Sequence, residues 1–446
     1  MAAFRPRERE VGLVTLRSSA ARAPLGPDSN GPEIRRTDQL DIQAQAVNDR
    51  GPGATVATAR RLTVLIVVPT LHSGAADAGA LDLVRILGAA GHRAIVVSRG
   101  GRLAEEVATA GGEWVARDMA STNPMVMLAN AVALARLIRR NRCDVVHAHG
   151  RAAAWSAYLA ARVTRTPFLT TWYKGFREQN LFKHLYNSVM ARGDRVVAVS
   201  DQIAELIHDR HGTPENRIAV VPLSIELARF DAAAIAPERV EAMRRAWGVK
   251  GDTRVILVVG RMLRRKGHHV VVKAVHRLKE RGLKDFLCVF AGEDQGRSRY
   301  TGELWDQISE TGTADVVRLV GTVDDMPAAY AAATVAVSAA VQAEGLQRAV
   351  LEAQAMARPV VVSDLGAGPD VVLAPPAVPE DRMTGLRVPA GDADALAAAL
   401  IRLFSLPEPV RAAIGVRGRA WVSQHFKGPD VAQAMLALYA EVARPR

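Results

Sequence analysis

The sequence is short of cysteine, aromatic residues, lysine and long apolar runs, and each shortage closes off a class of function. Two cysteines in 446 residues, Cys143 and Cys288, cannot staple a small secreted fold or build a thiolate metal site, so a reducing compartment is expected. Aromatics amount to 5% and nowhere alternate with a basic stripe. With no zinc-finger or RNA-binding spacing either, nucleic acid is not expected as a partner. The most tempting apolar stretch, residues 328–341, is well short of the ~20 residues of a bilayer span and is mostly alanine. The run at 11–16 is too short for the core of a secretory signal. A cytoplasmic protein is expected, with peripheral contact at the inner face of a membrane left open. Only eight of the 58 basic residues are lysines. The net charge of +12 is thus borne by arginine, and it reads as compositional bias in an alanine-rich chain as readily as selection for an anionic partner.

What is present is globular: 49% hydrophobic and 23% charged, over a length that at ~150 residues per domain predicts two or three domains. Residues 1–60 mix Arg, Pro, Gly, Asn and Asp without period and read as a disordered extension. From residue 62 apolar, β-rich runs at 62–68, 94–98, 145–147, 168–171 and 196–200 alternate with helix-period segments at 78–90, 124–142, 152–163 and 181–191. Uninterrupted apolar strands joined through helices imply a parallel sheet covered on both faces. The alternation stalls in the acidic, Ala-rich passage 226–247, taken as the region of an interdomain connection. It restarts with strands at 255–259, 287–291, 317–320, 335–338 and 360–363. The fold class is therefore α/β, with two Rossmann-like, doubly wound parallel-sheet domains over 61–222 and 223–424 that face a cleft.

Ligands of such folds sit at the carboxyl ends of the strands, so the residues that follow each strand are the ones to read. After the first strand a small-residue turn at 72–79, with Gly74 in it, opens a helix whose N–H groups and dipole suit a phosphate, although any βα turn favours glycine. After the first strand of the second series, Gly260-Arg261 and Lys266-Gly267 place two cations where both can face one anion; the alternative is a solvated basic turn. Preorganised Arg and Lys donors are worth several kcal/mol to the departure of a diphosphate. Glu344 and Glu352 are eight residues apart, which on one helix start would put them on nearly the same side, about 12 Å apart. They would reach opposite ends of an elongated ligand, unless they are ordinary acids at a helix N-terminus. Glu352 lies in the apolar run 349–357 and needs a partner there.

Other candidates read as structural. His268-His269 decorates a helix start rather than binding metal. Asp392 of the Asp-Ala-Asp triplet reads as an N-cap rather than a metal and nucleotide signature. Residues 125–137 read as a core helix, whose basic tail of Arg136, Arg139, Arg140 and Arg142 could instead rest on anionic lipid.

Taken in order, the small-residue turn, Gly-Arg then Lys-Gly, and Glu-x7-Glu before a strand resemble the family four glycosyltransferases, retaining enzymes of GT-B fold, from about residue 62 onward. Further matches stand at 144–149, 193–200, 291–294, 321–330 and 385–392. The branch that looks closest holds bacterial lipopolysaccharide-core and other envelope enzymes. The resemblance implies transfer of a hexose, with retention, from a UDP- or GDP-linked sugar to a glycolipid or glycan acceptor. Neither metal nor other cofactor is then expected, and no protein nucleophile. It implies that Arg261 and Lys266 hold the donor diphosphate, with Gly74 and Gly260 in the turns around it. Glu344 would bind sugar hydroxyls beside the amides near Leu346 and Gln347, and Glu352 the ribose. The acceptor would lie near His147, His149, Trp172 and Tyr173. The last helix, 431–442 within the closing segment 425–446, would cross back to the first domain.

The chain departs from that family at four places. Ala75 and Asp77 replace a second glycine and a glutamate, and Leu346 and Gln347 replace an aromatic and a glycine. Ala339 and Ala343 stand for prolines, and Trp172-Tyr173-Lys174 occupies the place where many members carry a histidine near the reaction centre. Two alternatives stay open: a degenerate GT-B protein that binds a nucleotide sugar or partner without transfer, and a soluble sugar synthase with a small phosphorylated acceptor.

Overall fold

Runs of Val, Ile, Leu and Ala that are apolar at every position cannot leave either face to water, and in the computed structural model they form the inner strands of two parallel sheets. Residues 60–72, 74–175, 180–294, 296 and 298–443 are described. The extension expected over 1–60 therefore lies, apart from Arg60, outside the described residues. Seven strands come first: β1 Thr63–Val67, β2 Arg93–Ser98, β3 Glu113–Ala116, β4 Val145–His149, β5 Phe168–Trp172, β6 Arg195–Ala198 and β7 Ile218–Val220. They pair in the order β3-β2-β1-β4-β5-β6-β7. Six more follow: β8 Arg254–Val259, β9 Phe286–Ala291, β10 Val317–Gly321, β11 Val335–Ser338, β12 Val360–Ser363 and β13 Gly385–Val388, in the order β10-β9-β8-β11-β12-β13. Every pairing is parallel. Strand order reverses once in each sheet, between β1 and β4 and between β8 and β11, and these two switch points are where such sheets open a crevice.

Alternation along β1 explains the covering. Val64 and Ile66 pack with Leu81, Val84 and Leu87 of the helix Ala75–Ala89, whereas Leu65 and Val67 pack with Leu134 and Ala157 of the helices Pro124–Asn141 and Arg151–Thr164. The edge strands β3 and β7 escaped the sequence reading because they lack the double-faced signal, whereas the edge strand β10 was read at 317–320; three of the four residues of β3 are exposed. The passage 226–247 also needs correction. Its helix Pro237–Trp247 packs on the helix Met326–Ala332, with Arg239 paired to Asp325 at 2.7 Å, and belongs to the second domain. The crossing comes earlier, where Ile225 bridges Lys427 in parallel, so the outgoing and returning segments run side by side.

The closing helix Gly428–Val442 buries Val431, Met435, Leu438 and Tyr439 in the same core as Val64 and Ile66 of the first sheet. The helix Pro124–Asn141, expected to be core, buries only one face. Ala131, Leu134 and Ile138 point inward, while Met125, Leu128 and Val132 are 74%, 54% and 45% exposed. Among the described residues no helix is long and apolar enough to cross a membrane. The two-domain GT-B architecture implied by the resemblance is present.

Candidate functional site

Loops that leave the carboxyl ends of β8, β9, β11 and β12 meet at the switch point of the second sheet. The Gly260 amide donates to Ala291 O at 2.9 Å and the Met262 amide to Glu293 O at 3.0 Å, which holds the 260–267 loop against the loop after β9. The loop closes in a short 3-10 turn, Arg264–Lys266, capped by Gly267 at φ +74. Only glycine fits there: the φ is left-handed, and a methyl group would overlap the Ala339 carbonyl. This turn sends Arg264 outward to Glu303 and turns Arg265 and Lys266 inward.

Both inward cations converge on Glu344, which is 8% exposed. Lys266 Nζ lies 2.6 Å from Oε2, and Arg265 pairs with Oε1. The helix expected to carry both glutamates begins only at Arg348, so Glu344 sits in the preceding loop, fixed by a 3.1 Å bond from the Ala367 amide to its carbonyl. Burial, reinforced by Arg265, Arg261 and Lys174, pulls the Lys266 ammonium down to about 7, against the ion pair that holds its proton. Leu346 is buried, and the Gln347 side chain accepts from the Ser338 hydroxyl.

Glu352 does sit on the helix, Arg348–Ala355. It accepts from the Tyr330 hydroxyl at 3.0 Å. Burial raises its carboxyl, opposed by Arg348, the Tyr330 bond and Arg229. Arg348 in turn pairs with Asp82 on the helix Ala75–Ala89, a link between the two domains.

On the opposite wall, the turn after β1 is partly occupied by its own chain. Asp77 Oδ2 accepts from the amides of Gly74 at 3.0 Å and His72 at 3.1 Å, so those donors are taken. Burial raises the Asp77 carboxyl, while these bonds and the Arg261 charge across the cleft pull it back.

The four acceptor-side candidates part company. His147 is fully buried, with Nδ1 2.7 Å from the Tyr439 hydroxyl and Nε2 2.7 Å from Thr171 Oγ1, so both ring nitrogens are spent on the fold. His149 Nδ1 meets the Tyr173 hydroxyl at 2.8 Å, and burial drives its pKa to about 3, leaving the ring neutral. Tyr173 and His147 share a small cavity with Asp82 and Val199. Trp172 does not join them: it is fully buried on the other side of the strand, its indole N–H donating to Met190 O at 2.8 Å, because alternate residues of β5 face opposite ways.

His268 is more than a helix decoration. It lies fully buried beneath the 260–267 loop, edge-on to Phe290, and burial lowers its pKa to about 4. Asp392 caps the helix Ala393–Ser405 through a 2.8 Å bond from the Ala395 amide. Among the described residues no group of three or more His, Cys, Asp or Glu is arranged to hold a metal ion.

Sequence reasoning missed Arg265 and Asp82, and took Asp77 only as a departure from the family pattern. Arg265 was one of three consecutive cations, and only the turn decides which of them face inward. Asp77 and Asp82 stand three and eight positions past Gly74, where any amphipathic helix carries acids.

The family model described as Glycosyltransferase Family 4 matches residues 76–229, and the one described as Glycosyl transferases group 1 matches 253–405. The D-inositol 3-phosphate glycosyltransferase of Saccharomonospora viridis is 32% identical over 265 residues, 57% of each chain. The chain thus spans little more than half the length of the curated relatives it matches. A solved glycosyltransferase from Rickettsia africae is similar with a TM-score of 0.76 at 30% identity, over 87% of this chain and 100% of its own. Anabaena HepE, solved in complex with UDP-glucose, has a TM-score of 0.74 at 18% identity over 85% and 100%, a likeness of fold.

Proposed function

Because the chain belongs to the group 1, family four glycosyltransferases, we propose that it transfers a hexose, with retention, from a UDP- or GDP-linked sugar to a hydroxyl of an envelope glycolipid or glycan. The observation that carries the reading is the buried Glu344 held between Arg265 and Lys266 at the switch point, with Arg261 beside them. In this reading the bond from the anomeric carbon to the diphosphate breaks, and Arg261 and Lys266 stabilise the charge that develops on the departing oxygen. That oxygen takes the proton of the acceptor hydroxyl, whose oxygen bonds to the same face of the sugar. Glu344 orients the sugar hydroxyls, and Glu352 the ribose. Arginine and lysine supply the positive charge, so no metal ion is needed.

A lipid-linked acceptor is supported by the face that the helix Pro124–Asn141 leaves uncovered. Exposed Met125, Leu128 and Val132 run into exposed Arg136, Arg139 and Arg140 along one stripe, apolar at one end and basic at the other. That pairing suits an anionic bilayer surface. The experiment is release of nucleoside diphosphate from a panel of UDP- and GDP-sugars, with extracted envelope lipid as acceptor. Release that persists in EDTA and falls ~100-fold or more in Arg261→Ala or Lys266→Ala supports the reading, a loss of ~3 kcal/mol of transition-state stabilisation. Unchanged rates in both variants, or strict magnesium dependence, would overturn it. Binding without turnover once the acceptor is supplied would indicate a binding protein instead.

A further inference from the structure

Resting on the nucleotide-sugar reading above, we infer that Arg265 is a positioning residue: it is the standing counter-ion of Glu344, and keeps that carboxylate ionised and aimed while Lys266 turns from it to the donor's diphosphate. The Glu344 main chain is held from two sides. Its carbonyl accepts from the Ala367 amide at 3.1 Å, and a β-carbon on the neighbouring Gly366 would overlap its backbone. From the first domain, the Tyr173 carbonyl presses on Gly345 in the same way. The side chain is held by the two cations, which take one carboxylate oxygen each. Those cations are not equivalent. The Arg265 carbonyl accepts from the Val341 amide at 2.9 Å, three residues before Glu344, so guanidinium and carboxylate are offered to each other by segments already joined through the main chain. Lys266 reaches Oε2 at 2.6 Å from the last position of the turn, on a flexible four-carbon stem that runs past Gly260.

Burial gives the reason for a second cation on one carboxylate. Glu344 is only 8% exposed, and an anion at that depth is strongly disfavoured unless a cation accompanies it. In the proposed reaction the Lys266 ammonium turns to the departing diphosphate, so a Glu344 that relied on Lys266 would be stranded as a bare buried charge at the moment it must hold the sugar. Arg265 carries a permanent charge on a planar fork suited to a carboxylate. With it in place Glu344 keeps its charge and direction, and Oε2 opens to the sugar hydroxyls. Arg265 thereby serves the sugar end of the donor through Glu344, and Lys266 the phosphate end. The same guanidinium, with Arg261 and Lys174, also loosens the Lys266 proton; Glu344 works to hold it, and His268 is neutral there.

The test is calorimetric titration of the full chain, wild type, Arg265→Met, Arg265→Lys and Lys266→Ala, with UDP, GDP, UDP-glucose and GDP-mannose from about pH 6 to about pH 9. We expect Arg265→Met to weaken the sugar nucleotide roughly tenfold at about pH 6.5, while its diphosphate changes less than about threefold. The pH at which diphosphate affinity falls off should move up by about one unit, because a cation beside Lys266 has gone. Lysine at 265 should restore most of both effects. Equal losses for sugar nucleotide and diphosphate would mark a merely structural role and overturn the inference. So would wild-type behaviour in Arg265→Met or a fall-off that does not move up, and if Lys266→Ala still weakens both ligands in that case, the broader reading survives. A wild-type chain that binds neither UDP nor GDP overturns that reading, and the inference with it.

Discussion

Lys266 is pulled to about 7 by burial and by Arg265, Arg261 and Lys174, and the groups around it fix the sign of the effect. Glu344 favours its proton, and His268, with a pKa of about 4, is neutral and adds no charge above pH 5. Below pH 7 the ammonium is charged and can hold a phosphate; above it the charge is progressively lost. Nucleoside diphosphate should therefore bind more weakly at pH 9 than at pH 6.5, and at pH 8 binding should take up protons. Titrations in buffers of different ionisation heat read that uptake directly, and its absence would mean Lys266 keeps its charge throughout. The residue types of this site were legible in the sequence because Arg261, Lys266, Glu344 and Glu352 stand at fixed offsets from strand ends. Trp172 and Tyr173 could not be told apart until the strand fixed which of the two faces the cavity.

Elements were legible in proportion to their burial. Inner strands such as β1, apolar after Thr63, and β9, apolar throughout, were located to within a residue or so, whereas β3, exposed at Glu113, Trp114 and Ala116, carries no period that distinguishes it from a loop. The helix over both glutamates was expected four residues too early, because nothing in the spacing Glu-x7-Glu says that the first acid must stay in a loop to meet two cations. Caps fared better. Asp392 accepts from Ala395 at the start of a helix that carries none of the candidate site residues, so Asp392→Ala should lower stability by ~1 kcal/mol in a urea melt and leave donor turnover unchanged. A loss of turnover at full stability would give the Asp-Ala-Asp triplet a role in nucleotide binding after all.

Across the whole molecule, two cross-links tie distant parts of the chain together. Arg348 and Asp82 join the domains beside Glu352. His147 and Tyr439 join the first sheet to the closing helix, inside the core. Composition hides both, since each pairs residues hundreds of positions apart whose types are ordinary where they stand. Tyr439→Phe removes the hydroxyl from a fully buried imidazole nitrogen and should cost ~1–3 kcal/mol in a denaturant melt, without altering nucleotide affinity. A neutral result would show that water replaces the hydroxyl. The same bond sets an order on synthesis. A ribosome releases residues 61–220, with all seven strands of the first sheet, long before Tyr439 exists, so the nascent sheet has to wait with part of one face uncovered and His147 half-satisfied. The first domain becomes finished protein only after the whole second domain has been made, and a chain cut short between the two would offer the uncovered part of that face to chaperones and proteases.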